Sequence, residues 1–223
     1  PQSVAGVFRE FDTSLAALDR GRAPIWLVAQ ALRDPGNLGT MLRTGDAVGA
    51  GGLILLDDCA DPFSVEAVRA SMGAVFTQRI AQARWEDFIA WLRGGEGQLV
   101  AGSLRDAQDY RTAPYAAPCF LMVGNESRGL PEAYEDACDL RVTIPMRGRA
   151  DSLNAAVAAA GPSARIARAL KARIATSDMA RNPPKMIACA RSPFATRCAP
   201  DQSASARRSG WRVTARMPGR AAS

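Results

Sequence analysis

The sequence contains no histidine. That absence removes every Ser-His and Cys-His nucleophile pair and the commonest general base. Its five cysteines are Cys59, Cys119, Cys138, Cys189 and Cys198, and no two of them stand at CxxC spacing. Without His or paired Cys there is no ligand set for a zinc-type site, and no metal is expected. Free thiols in a reducing cytoplasm are the plain reading. No apolar run approaches the about 20 residues of a membrane span, so no membrane contact is expected. The first residues, PQSVAGVFREFD, lack the basic and apolar regions of a secretory signal. They also lack an initiator Met, which predicts a start inside a longer reading frame or after processing. Neither GxxxxGK[ST] nor GxGxxG occurs, which argues against a phosphate loop or a dinucleotide turn.

What is present is a chain of 223 residues with 48% hydrophobic content, enough for one substantial core. The formal charge of +6 is unevenly spread. From Gly161 to the end there are 13 Lys and Arg against 2 Asp and Glu, while the preceding residues carry a net −5. The high isoelectric point therefore belongs to the tail and is no evidence that the core binds nucleic acid. Residues 1–175 are read as one domain. Residues 176–223 are rich in Arg, Ala, Ser and Pro with no period, and are read as a basic disordered tail. An out-of-frame reading of a GC-rich gene would give the same texture.

Apolar runs predict strands over 25–32, 51–58 with Gly51 and Gly52 as its breaker, 75–81, 98–104, 119–125 and 140–146. Between them, periodic segments predict a short helix after the turn DPGN, then helices over 62–74, 85–95 and 130–138. In the first of these, Leu38, Met41, Leu42, Ala47 and Val48 form the apolar face. Another helix begins near Ser152, as its cap, and meets Gly161-Pro162, where a break is expected before 164–175 resumes. Alternating strands and helices with short links give an α/β fold, a parallel sheet with helices on both faces. Ligands of such sheets bind beyond the carboxyl ends of the strands. Three polar loops stand there: GSLRDAQ, GNESRGL and PMRGRADSLN.

Polar residues gather in three segments where a core would not want them. They are Asp34-Pro35-Gly36-Asn37-Leu38-Gly39 with Arg43 beyond it, Gly124-Asn125-Glu126-Ser127-Arg128-Gly129-Leu130, and Ile144-Pro145-Met146 followed by Asp151-Ser152-Leu153-Asn154. In these segments the chain resembles the SpoU/TrmH-type RNA ribose 2′-O-methyltransferases of the SPOUT superfamily. DPGNLGTMLRTGDAVGAGGLIL is similar to the family's first motif, VGNESRGLP to its second, and IPMRGRADSLNAAVA to its third. The likeness covers about residues 1–160, and three ordered motifs make it specific.

The resemblance implies a C-terminal trefoil knot, a homodimer and a pocket for S-adenosylmethionine (AdoMet). It implies cofactor contacts from Ser103, Leu104, Gly124, Asn125, Gly129, Ile144, Met146 and Leu153, largely through the main chain. It implies Arg43 as the leading catalytic residue, acting on a 2′-OH or a phosphate, with Asn37, Glu126, Ser152 and Asn154 around it. Glu126 is expected to hold Arg43 or Asn37. The substrate it implies is structured RNA, ribosomal before transfer RNA. The alternative is a non-catalytic dimeric RNA-binding or assembly module that keeps the knot. Two features depart from the family pattern: Ser127 stands where a Gly is usual, and Gly161-Pro162 interrupts the last helix. The N-terminal substrate-binding domain of many relatives is also expected to be missing. The cluster Asp57, Asp58 and Asp61 is read as a polar loop, and Trp85 and Trp91 as packing residues.

Overall fold

The computed structural model describes residues 9–125, 127–146 and 154–181, with side chains in the last helix described to Arg173. Seven strands form one sheet in the order β3-β2-β1-β6-β4-β7-β5. They are β1 (Ile25–Gln30), β2 (Gly52–Leu56), β3 (Arg79–Ala83), β4 (Gln98–Gly102), β5 (Gln108–Asp109), β6 (Cys119–Val123) and β7 (Leu140–Thr143). Every pairing is parallel, and β1 sits between β2 and β6 with Leu27 opposite both Leu53 and Leu121. The helices are α1 (Pro35–Val48), α2 (Val65–Ala70), α3 (Trp85–Arg93), α4 (Glu132–Asp136) and α5 (Ala155–Arg181).

Each residue of β1, β2 and β6 is buried, as expected of strands covered on both faces. Alternate residues divide between two cores. Ile25, Leu27 and Ala29 pack with Leu38, Met41 and Leu42 of α1 and with Ile166 and Leu170 of α5. Trp26 and Val28 pack with Phe88 and Leu92 of α3 and with Phe120. Arg20 closes the second layer. Its guanidinium donates to the Leu92 carbonyl at 3.0 Å and to the Trp91 carbonyl, and lies 3.9 Å over the Trp91 ring. These contacts add donors to carbonyls at the end of α3, where Leu92 also accepts from the Gly95 N–H at 3.3 Å.

Five expectations need correction. The strand foreseen at 75–81 is β3, at Arg79–Ala83, because Ala74–Phe76 form a 3-10 turn whose Val75 is buried without ladder bonds. The helix after DPGN starts at Pro35 itself: the Asp34 side chain accepts from the Asn37 N–H, so the apparent turn is the cap. On that helix Ala47 is exposed, and Gly39 and Gly45 join the buried face instead. The expected break at Gly161-Pro162 is absent, since α5 runs through Pro162 to Arg181. An internal proline costs about 3 kcal/mol. Here Ala159, Ile166, Ala167 and Leu170 are buried against the sheet and α1, and that packing outweighs the cost. Positions 176–181, read as tail, are therefore helical. The rest of the proposed tail, with Cys189 and Cys198, lies outside the described residues. Cys59, Cys119 and Cys138 are free thiols. Among the described residues no helix is long and apolar enough to cross a membrane.

Candidate active site

The loops that leave β1, β4, β6 and β7 all emerge at the carboxyl edge of neighbouring strands. Three of them enclose a cavity of about 450 Å³, which α5 closes from the side. Ser103 and Leu104 line it from the loop after β4, and Ile144 and Met146 from the loop after β7. Gly124, Asn125 and Gly129 line it from the loop after β6. Seven of the eight expected pocket residues thus share one cavity. The eighth, Leu153, lies outside the described residues, as do Glu126 and Ser152.

The β6 loop folds back on itself. Gly129 donates from its N–H to the Asn125 carbonyl at 2.9 Å. The Asn125 carboxamide oxygen accepts from the backbone of Ser127 at 2.9 Å and of Arg128 at 3.3 Å, and its amide nitrogen donates to the Ala31 carbonyl at 3.0 Å. The Asn125 side chain is therefore engaged in tying its own loop to the end of β1. What it leaves to the cavity is mainly backbone. Gly124 is required by close approach, because a Cβ there would come within 2.4 Å of the Gly129 carbonyl carbon. Gly129 has φ +67, a conformation side chains disfavour. The glycine of the first motif has a different task. A Cβ on Gly39 would meet the Ala67 carbonyl oxygen at 2.4 Å, so Gly39 lets α1 cross α2 and does not serve the cavity.

Asn37 and Asn154 meet. The Asn154 amide donates to Asn37 Oδ1 at 2.7 Å. The Asn154 oxygen accepts from the Ala156 and Val157 N–H groups at 3.0 and 3.3 Å, so Asn154 caps α5. Arg43 is exposed on α1 and does not line the cavity. It shares a helix face with exposed Thr40 and Ala47, while Leu42 beside it is buried.

Sequence reasoning missed a charged wall. Arg105, after β4, pairs with Glu132 and Asp136, and its Nε lies 3.3 Å from Glu135 Oε2. Arg105 and Glu135 line the cavity, and Glu135 is only 9% exposed. Burial pulls the Arg105 guanidinium down, but Asp136 and Glu132 more than offset it and raise its pKa. Arg141 adds a bond to Asp136 at 2.8 Å. Helix α4 is set in place by Tyr134, whose ring stacks on Trp85 with centroids 3.8 Å apart and whose hydroxyl donates to Asp57 at 3.0 Å. Burial first, and the Asp57 bond second, push the Tyr134 phenol up to about 12. Asp57 also accepts from the Trp85 N–H at 3.1 Å, and Asp58 pairs with Arg33 at 2.8 Å, so these carboxylates bind the loop together. The signal was available in the Arg and three acids, but it is the ordinary look of a solvated surface.

Comparison with known proteins fits this geometry. The SpoU rRNA Methylase family matches residues 24–160. The 23S rRNA (guanosine(2553)-2′-O)-methyltransferase RlmP of Bacillus subtilis is 33% identical over 160 residues, 72% of this chain and 62% of its own length. A 23S rRNA (uridine(2479)-2′-O)-methyltransferase of Streptomyces viridochromogenes is 35% identical over 56% of this chain and 46% of its own. Among solved structures, an AdoMet-bound rRNA methyltransferase from Sinorhizobium meliloti superposes with a TM-score of 0.70 at 43% identity, covering 73% of this chain and 63% of that one. The chain spans less than two thirds of the length of these relatives. Its parallel α/β sheet is that of the SPOUT methyltransferase structures, and the chain belongs to the SpoU rRNA Methylase family.

Proposed function

We propose that this chain carries the catalytic core of an AdoMet-dependent RNA ribose 2′-O-methyltransferase, acting on ribosomal RNA in preference to transfer RNA. The observation that carries the reading is the cavity at the carboxyl ends of β4, β6 and β7, beside the Asn37–Asn154 bond. Its volume of about 450 Å³ falls in the range of small-molecule sites. Leu121, Val123 and Val142 offer apolar walls to a purine, and the β6 loop offers main-chain groups. The residues present fit AdoMet, which when bound supplies a methyl group already activated on sulfonium.

The chain's own work is then positioning. Gly124, Gly129, Ile144 and Met146 hold the cofactor through backbone contacts, with Ser103 and Leu104 closing the pocket and Leu153 completing it. Asn125 shapes the loop. Asn37 and Asn154 fix the approach of the ribose. The Arg43 guanidinium holds a phosphate or stabilises the developing charge at the 2′-oxygen. Glu126 and Ser152 orient Arg43 and the ribose.

Arg43 stands on an exposed helix face rather than in the cavity wall, which favours a homodimer whose sites combine Arg43 of one chain with the pocket of the other. A C-terminal trefoil knot belongs to the same reading, as does action in the cytoplasm. Residues 1–175 and the continuation of α5 form the domain, and the basic remainder is a tail.

The test is calorimetric titration of the purified chain with AdoMet and S-adenosylhomocysteine, with solution mass recorded. Saturable binding by a dimer, followed by a mapped 2′-O-methyl site on RNA, is expected. A folded dimer that binds neither ligand would replace this reading with the non-catalytic module.

A further inference from the structure

A second cavity lies away from the first, at the amino edge of the sheet. Its volume is about 190 Å³, and it is lined by Phe11, Arg22, Phe76, Thr77, Gln78 and Arg79. Arg79 opens β3, and Arg22 stands just ahead of β1. Both arginines are exposed, and among the described residues neither makes an ion pair. Arg33, Arg93, Arg105 and Arg111, by contrast, each hold a carboxylate. Phe11 is held edge-on to Phe63 with ring centroids 5.3 Å apart, and Phe76 is 61% exposed. Guanidinium groups beside aromatic rings are the combination that grips a phosphate and stacks a base.

The cavity is too small for a whole cofactor, since ordinary small-molecule sites begin near about 300 Å³. It suits one residue of a polymer whose remainder lies outside. Its place in the fold selects the polymer. Asp46 of α1 accepts from the Thr77 hydroxyl at 2.7 Å and from the Gln78 amide at 3.4 Å, so α1 backs this cavity. Asp46 follows Arg43 by one turn, about 4.5 Å along the helix and on the same side of it. The cavity is therefore within reach of the strand whose ribose Arg43 serves.

We propose that this cavity is a subsite for a nucleotide flanking the methylated one in the RNA, with its phosphate on Arg22 and Arg79 and its base against Phe76. The inference rests on the RNA methyltransferase reading above. It adds to that reading a substrate contact on the chain that supplies Arg43, remote from the AdoMet cavity.

The test is fluorescence anisotropy of a labelled oligouridine, over a range of salt, with the full chain and with Arg22→Ala, Arg79→Ala, Phe76→Leu and Arg84→Ala. Arg84 stands at the other end of β3, beside Glu86, and controls for loss of charge alone. Arg22→Ala and Arg79→Ala should each bind about three- to tenfold more weakly and lower the salt slope by about 0.7. Phe76→Leu should weaken binding at least about fivefold with the slope unchanged, since stacking releases no counterion. Arg84→Ala should match the parent. Arginine variants that bind no more weakly than Arg84→Ala overturn the inference. So does an unchanged affinity in Phe76→Leu, which would leave an anion patch without a base. Equal weakening toward labelled polyglutamate also overturns it, in favour of an acidic protein partner. Titration of the same proteins with S-adenosylhomocysteine separates the two readings. Parent-like binding is expected in every variant, whereas a parent that does not bind it removes the enzyme reading while the oligouridine result still decides the subsite.

Discussion

The Asn154 amide donates to Asn37 Oδ1 at 2.7 Å, joining the start of α5 to the first turn of α1 across 117 positions of sequence. One side chain thus has two tasks, since its oxygen also caps α5. The two can be separated by substitution. Asn154→Ser keeps a capping oxygen but is too short to reach Asn37. It should leave stability within about 0.5 kcal/mol while lowering methyl transfer. Asn154→Ala should lower both, with about 1 kcal/mol lost in denaturant titration.

Arg43→Ala should lower methyl transfer at least about a hundredfold, the scale of one charge-stabilising donor. Binding of S-adenosylhomocysteine should stay within about twofold, because Arg43 does not line the cavity. Equal loss of transfer and binding would make Arg43 structural.

Gly124→Ala places a methyl group 2.4 Å from the Gly129 carbonyl carbon and 2.6 Å from the Leu130 nitrogen. Backbone on both sides leaves no flexible atom to yield. A loss of about 1–3 kcal/mol is expected from such overpacking, together with loss of ligand binding. Ser127→Gly lies in the same loop, where only the Ser127 N–H is used by Asn125, and should bind ligand as before.

Arg20→Ala removes the donors that close α3 and the cation over Trp91. Hydrogen bonds from a charged group contribute about 1.5–3 kcal/mol, and thermal or urea unfolding should show a loss of that size. Arg20→Lys should recover only part of it, because an ammonium cannot span both carbonyls while stacking on the ring.

Burial pushes three thiols up from their ordinary value of 9.0, Cys59 to about 11 and Cys119 and Cys138 to about 12. Between the unfolded and folded values the native chain holds more protons than the unfolded one, so stability falls as pH rises above about 9. Below about pH 8 these thiols impose no slope. Urea unfolding at pH 7.5 and pH 10.5 should show the difference, and Cys138→Ala should reduce it.

Legibility in the sequence followed the strength of local signals. The central strands were plain because IWLVAQ and CFLMV are apolar without interruption, which only a doubly covered sheet demands. The pocket loops were plain because glycine and small polar residues follow such strands. β5 was not, since Gln108–Asp109 pairs through backbone alone and carries no apolar pattern. The course of α5 through Pro162 was misread because a local rule was applied where tertiary packing decides. The task of the Asn125 carboxamide was not legible either: it bonds Ala31, Ser127 and Arg128, a matter of geometry that composition does not carry. Arg105 and Glu135 were overlooked because charges on a short helix and a loop look alike whether or not they converge.

The insertion of β6 between β1 and β4 has a consequence for how the chain reaches its fold. Trp26 finds its partner Phe120 only after the segments of β2, β3 and β4 have been made. Until then one edge of β1 stands open, with its hydrogen-bonding groups unpaired and its apolar side chains uncovered. Long-range parallel pairing of this kind is slow. The interval before β6 arrives is therefore when a growing chain is most exposed to pairing with another copy of itself. Folding yield should depend on chain concentration more steeply than the stability of the finished sheet would indicate.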